Sequence, residues 1–272
     1  MIRVFLILSF LLLSYVNSNA QSFFFDFENG QKPSELSGVG EMVSTASNGT
    51  GGSYADYGFG NYFWRNQGEK YRNPTGETFL TLSSLEDHNY IFLSFYLAVI
   101  DSWDGATTKK ETKKPYSPDY LELKVNDTVL FQGYFDNFYI GDQIFNFSDL
   151  VYASSVSLLV PYNKNATSRK RFPSLGWEYE HQNKKGTWDV WPDSAYRICL
   201  VFEHLQDNLT LSWSAAGEGW QGVWDESFGI DNIYVETLDS PQRCHMPEPK
   251  TFVYFLLFLA VLPLVRRIWK TC

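Results

Sequence analysis

The run Ile91–Asp104 reads IFLSFYLAVIDSWD and is apolar on both of its alternating faces. Phe92, Ser94, Tyr96, Ala98 and Ile100 share one face, and Leu93, Phe95, Leu97 and Val99 the other. A strand at a solvated surface alternates apolar with polar, so one that is apolar on both sides belongs inside a sheet with cover above and below. Polarity then returns abruptly at Asp101-Ser102-Trp103-Asp104-Gly105. The segment Gly219–Ile233 (GWQGVWDESFGIDNI) has the same logic, with aromatic and acidic turn residues beside an apolar strand. The two segments are predicted to lie near each other in one β-sandwich.

Further strands follow from alternation and turn chemistry. Phe23–Glu28 begins to alternate and stops at Asn29-Gly30. Residues 31–60 are rich in Gly and Ser and predict short strand pieces at most. Thr78–Leu82 alternates. Asp119–Asn126 sets Tyr120, Glu122 and Lys124 against Leu121, Leu123 and Val125, and Asn126-Asp127 turns it into Val129–Phe131. Val151–Pro161 is a strand. Tyr196–Glu203 and Leu209–Ser214 are expected to form a hairpin across Gln206-Asp207-Asn208, and Ile230–Glu236 closes the fold. No sustained helical period and no repeat appears. The expected fold class is all-β, a single antiparallel β-sandwich of jelly-roll type.

Both ends differ from this body. Residues 1–20 carry Arg3, an apolar run from Val4 to Leu13, and Ser18-Asn19-Ala20, the layout of a signal peptide. Residues 21–239 are the expected ectodomain, and 240–250, with three prolines, a spacer. Residues 251–272 begin with an uncharged run, Thr251–Val265, short for a permanent span, and end in Arg266, Arg267 and Lys270. The body is expected at the cell envelope or outside the cell, with the C-terminus cytoplasmic before any processing. Four of the 22 basic residues and none of the 31 acidic ones lie in the two ends, leaving 18 against 31, a net charge of −13. Such a surface argues against nucleic acid and suits divalent cations.

Candidate chemistry follows from that charge. Hard cations take several carboxylate, amide and carbonyl oxygens. Asp101, Asp104 and Asp119 flank one loop and converge when residues 105–118 fold outward. Glu28, Asp231 and Asn232 converge when the first and last strands pair. A structural Ca²⁺ is the expected cofactor at one or other of these sets; the competing reading is ordinary acidic turns. Trp103, Trp220, Trp224 and Trp64 are rings beside polar loops, the combination of stacking surface and hydrogen-bonding groups that sugar binding uses; the competing reading is core. Cys199 and Cys244 either pair in an oxidising compartment or stay as thiols. Catalysis is not expected. Asp225 and Glu226 are strand neighbours facing opposite ways, which rules them out as an acid–base couple across a sugar. The four histidines show no metal-binding spacing, and no serine lies in G-x-S-x-G. Five N-x-[S/T] sequons occur, at Asn48, Asn126, Asn146, Asn165 and Asn208.

Pro247-Glu248-Pro249, the apolar run, and Arg266-Arg267 together resemble a PEP-CTERM sorting signal. That resemblance implies a bacterial exported protein whose tail is processed by an exosortase-type membrane peptidase. The pieces IDSWDG, PDYLELKVN and GWQGVWDESFGIDNI are similar to segments of exported proteins that carry such tails. FDFE and GIDNI are similar to the first and last strands of MAM-like jelly rolls, which implies that these strands lie side by side and share a cation site. The function so implied is an exported, membrane-anchored or sorted binding or adhesion protein, its partners extracellular polysaccharide or matrix. The alternatives are a eukaryotic type I membrane glycoprotein with a MAM-like adhesion domain and a carbohydrate-active hydrolase.

Overall fold

The computed structural model describes residues 20–45, 53–66, 75–106, 118–167, 170–175, 191–222 and 226–244. Among these residues thirteen strands form two antiparallel sheets. They are β1 (Ser22–Phe25), β2 (Leu36–Gly38), β3 (Glu41–Ser44), β4 (Tyr62–Asn66), β5 (Thr78–Leu82), β6 (Tyr90–Asp101), β7 (Tyr120–Val125), β8 (Thr128–Tyr134), β9 (Ile144–Phe147), β10 (Val151–Leu158), β11 (Ser194–Glu203), β12 (Leu209–Ala216) and β13 (Glu226–Leu238). The larger sheet runs β10-β11-β6-β13-β4-β3, with β1 also on β13; the smaller runs β2-β5-β12-β7-β8-β9.

β6 is the axis of the larger sheet. Ile91, Leu93, Phe95, Leu97 and Val99 project into the main core, where they meet Leu80, Leu121, Leu123, Leu211 and Trp213 of the smaller sheet. This shared core makes the two sheets a sandwich. Towards the end of β6 its opposite face is covered by loops. Ala98 and Ile100 pack with Tyr54, Phe59, Phe172 and Leu175, while Phe92 packs with Cys199, Val201 and Leu238. A capping box between Ser53 and Asp56 fixes the covering turn at Tyr54–Tyr57, and Gly58 ends it at φ 94°.

β7 alternates as its sequence requires, with Leu121, Leu123 and Val125 buried and Tyr120, Glu122 and Lys124 half-buried on the outer face. There the Lys124 Nζ lies 2.9 Å from Glu77 Oε1. Asn126 and Asp127 both hold positive φ, 45° and 69°, as a two-residue hairpin turn requires. β13 pairs with β6 along almost its whole length. Its other edge is shared in tandem by β4, opposite Phe228–Ile230, and β1, where Phe25 faces Ile233. The first and last strands therefore do lie side by side.

One expectation needs correction. β11 and β12 are not a hairpin: β11 pairs with β10 and β6, and β12 with β5 and β7. Residues 204–208 arch from one sheet to the other. Both strands are buried on nearly every residue, so each needs a sheet neighbour on either edge and a core on its inner face, which one turn cannot provide for both. β9 also forms without a sequence signal, since four residues show too little alternation to register.

Cys199 and Cys244 are joined in a disulfide, with Cα atoms 5.8 Å apart, tying the chain beyond β13 back to β11. The sequence separation is 45 residues, and closing a loop of that size stabilises by about 2–4 kcal/mol. Replacing both cysteines with serine is expected to lower the urea midpoint accordingly; an unchanged midpoint contradicts this. Among the described residues no helix is long and apolar enough to cross a membrane. The signal segment through residue 19, Pro247-Glu248-Pro249 and the tail with Arg266 and Arg267 lie outside the described residues.

Candidate cation centre

At one pole of the sandwich β6 ends, β7 and β11 begin, and β13 begins. Asp101 closes β6 with φ 66° and stands opposite Glu226 in the β6–β13 register. Its backbone N–H donates to Asp193 Oδ1 at 2.9 Å. The chain then doubles back. Asp104 N–H donates to Asp119 Oδ2 at 2.8 Å, Asp119 N–H donates to the Gly105 carbonyl at 3.2 Å, and Gly105 holds φ 74° against Asp136. Glu226 Oε2 accepts from Gln221 N–H at 2.7 Å. These bonds aim three carboxylates at one place: one oxygen from each of Asp104, Asp119 and Glu226 lies within 4.8 Å of the others. Asp119 and Glu226 are buried, at 0% and 1% exposure.

The surroundings are acidic too, but other carboxylates have structural duties. Asp136 Oδ1 accepts from Phe138 and Tyr139 N–H at 2.6 and 2.7 Å. Asp193 Oδ2 accepts from Leu175 N–H at 2.6 Å. Asn137 Nδ2 donates to the carbonyls of Val99 and Asp101. Arg65 donates from Nε to Ser227 Oγ at 3.0 Å. Burial lowers its pKa, while Asp101 and Glu41 act to raise it. Three carboxylates converging with two of them buried repel one another, and a proton or a hard cation relieves that repulsion.

Of the residues expected here, the structure brings Asp104 and Asp119 together. Asp101 is beside them in the strand register but outside the three-carboxylate group. In the sequence Glu226 stands only as half of an adjacent acid pair. Its role needs β13 to start at the same level as the end of β6, a fact of register, not of spacing.

The second expected set is assembled differently. Asp231 is fully buried at a register shift in β13, and its Oδ1 accepts from Asn232 N–H at 2.7 Å. Asn232 sits at φ 48° and donates from Nδ2 to the Gly58 carbonyl at 2.7 Å. The exposed Glu28 accepts instead from the backbone and side chain of Asn61, the latter at 2.7 Å. Burial pushes the Asp231 carboxyl up to about 9, with Glu28 and Asp26 adding to the rise and the Asn232 N–H opposing it. An acid raised in the fold keeps its proton when the unfolded chain has already lost it. Stability therefore falls as pH rises from the ordinary carboxylate range towards 9. Asp231→Asn, measured in chelator, is expected to flatten that slope and to raise stability at pH 8 by about 1–3 kcal/mol. A parent slope unchanged by the substitution defeats the assignment.

Three of the four expected tryptophans are placed in the core. Trp103 and Trp220 are both 0% exposed and pack edge to face with centroids 5.1 Å apart. Trp103 Nε1 donates to the Ser227 carbonyl at 3.0 Å. Trp64 is 4% exposed, with Nε1 3.3 Å from both the Val39 carbonyl and Thr78 Oγ1. None presents a ring face to solvent. Two sheets and their covering loops enclosed these rings because their large apolar area has more to gain from burial than from an exposed loop. Trp224 lies outside the described residues. On the outer face of the smaller sheet Tyr120 and Tyr134 instead pair across β7 and β8, centroids 5.4 Å apart, beside Glu122 and Gln132.

At the opposite pole the fold pairs two histidines that no spacing suggested. His88 Nε2 and His204 Nδ1 are 2.8 Å apart, with ring planes 11° apart. His88 Nδ1 is 2.6 Å from the Glu86 carbonyl. A carbonyl only accepts, so His88 carries its proton on Nδ1 and accepts at Nε2 from His204. Burial, then the neighbouring His88, lowers the His204 pKa to about 4. The pair holds the β5–β6 and β11–β12 connections together under an acidic cavity of about 490 Å³ lined by Glu86, Asp87, Asp207 and Asp239.

No family model and no curated protein matches the chain. Among solved structures it is similar to the Agl-KA catalytic domain, with TM-score 0.32 and 11% identity over 84% of this chain. It is also similar to the K2 cleaved adhesin domain of Lys-gingipain, with TM-score 0.35 and 10% identity over 79% of this chain and 97% of that one. The metal-free lectin I-B4 from Griffonia simplicifolia gives TM-score 0.35 and 10% identity over 80% and 98%. The chain spans 29% of the Agl-KA structure. At these scores the likenesses carry no argument about ligand or activity.

Proposed function

We propose that this protein is an exported, non-catalytic binding module, a jelly-roll β-sandwich that holds Ca²⁺ at the pole formed by Asp104, Asp119 and Glu226 and binds extracellular polysaccharide or matrix from the loops ordered there. The observation that carries the reading is the convergence of those three carboxylates, drawn from the end of β6, the start of β7 and the start of β13. A hard divalent cation takes such oxygens, and one bound there ties three chain segments together. The strongly acidic body and the disulfide fit a calcium-rich, oxidising exterior. The C-terminal apolar segment with its basic end serves as the surface tether.

A glycan array probed with the ectodomain, with and without chelator, tests the binding role. Saccharide binding that disappears in chelator and returns with Ca²⁺ is expected. Binding untouched by chelator separates recognition from the cation. No binding to any saccharide or matrix protein ends the proposal.

A further inference from the structure

Five asparagines of this fold use their amide nitrogens to tie distant parts of the chain together. Asn61, Asn66, Asn89, Asn137 and Asn232 each donate from Nδ2 to a partner distant in sequence: Glu28, the Gly76 carbonyl, the Asp239 carbonyl, the Val99 carbonyl and the Gly58 carbonyl respectively. None of the five begins a sequon. The sequon asparagines behave otherwise. Asn126, Asn146, Asn165 and Asn208 are all exposed. Asn126 is anchored through its oxygen, which accepts from Thr210 N–H at 3.1 Å, so the nitrogen is the end left outward. Asn208 Nδ2 reaches only its neighbour Asp207, at 3.0 Å on the surface. Asn146 lies on the edge strand β9, and Asn165 in the loop beyond β10. None of these four donates its amide nitrogen to a partner distant in sequence, a trait shared by Asn29 and Asn163 outside sequons, whose oxygens accept from Gln31 and Asn165 N–H. The four sequons stand where an amide nitrogen can be altered at no cost to packing.

We propose that Asn126, Asn146, Asn165 and Asn208 are N-glycosylated during export. The co-substrate is an oligosaccharide linked through its anomeric carbon to a lipid diphosphate. The Asn amide nitrogen attacks that carbon, an N–C bond forms, and the sugar C–O bond breaks with its electron pair leaving on the diphosphate. The amide proton passes to a base of the transferase, and no redox change occurs. The disulfide between Cys199 and Cys244 is consistent with passage through an oxidising compartment where such transfer takes place.

The test uses the full chain isolated from the cells that make it. Peptide-N-glycosidase in ¹⁸O-water is expected to convert the four asparagines to labelled aspartates, located by peptide mass spectrometry, with a stepwise fall in apparent mass. Thr128→Ala and Thr167→Ala, both at exposed hydroxyl positions, keep Asn126 and Asn165 but destroy their sequons. Each is expected to remove one glycan and leave the others. An intact mass equal to that of the unmodified polypeptide, or labelling confined to Asn48, overturns the proposal. The cation reading stands or falls separately, since none of these substitutions touches the carboxylate pole.

Discussion

Glu226→Gln is expected to weaken cation binding about tenfold or more, because it removes one of three carboxylate charges from a site whose affinity depends on charged oxygens. Terbium, a hard-cation substitute for Ca²⁺, gives a direct readout, since the neighbouring Trp103 and Trp220 sensitise its emission. The parent protein should show saturable luminescence displaced by Ca²⁺, and the variant should show little at the same concentration. Asp119→Asn should behave alike. Glutamine keeps the acceptor for Gln221 N–H, so the loop is not broken by the substitution itself. Stability then changes sign with the cation. In chelator the variant should be at least as stable as the parent, because like charges no longer crowd one another. At a hundredfold excess of Ca²⁺ over Kd the parent gains about 2.7 kcal/mol that the variant lacks. Equal terbium affinity in parent and both variants would remove the metal from these three carboxylates. Asp101→Asn decides whether the fourth acid contributes: a loss as large as that of Glu226→Gln would extend the site to the end of β6.

Trp103→Ala should cost about 3–5 kcal/mol, the range for deleting a large buried aromatic side chain. The ring lies edge to face against Trp220 and Phe135 and donates to the Ser227 carbonyl, so it binds the end of β6 to the start of β13. Its loss leaves a cavity beneath the carboxylate pole as well as an unmet carbonyl. Trp103→Phe restores most of the packing and should recover all but the hydrogen-bond part, about 1–2 kcal/mol. Urea denaturation measures both. If alanine were tolerated with a shift below about 1 kcal/mol, Trp103 would be a surface residue, and the expectation of a sugar-stacking ring at this position would return.

Burial of the strand Ile91–Asp101 on both faces was legible because alternation failed in the apolar direction. What covers its second face was not: the cover is a capped turn at Tyr54–Tyr57 and the loops around Phe172 and Leu175, irregular segments with no period to read. Tyr120–Val125 was legible because its two faces differ in polarity, and Asn126-Asp127 because few other residue pairs hold positive φ twice in succession. The misassigned hairpin shows the opposite case. A short polar linker between two apolar strands is the same string whether they pair edge to edge or arch between sheets.

By itself the chain determined that its body is strand-built, acidic, aromatic and antiparallel, because these properties depend on local period and composition. Tertiary structure decided which carboxylates share a place, since Glu226 reaches Asp104 and Asp119 only through the β6–β13 register. It decided that Trp103, Trp220 and Trp64 are core, since exposure is fixed by what the facing layer covers. It also joined Cys199 to Cys244 and His88 to His204, across 45 and 116 residues. Side-chain chemistry is written residue by residue, but distance between residues far apart in sequence exists only once the sheets have closed.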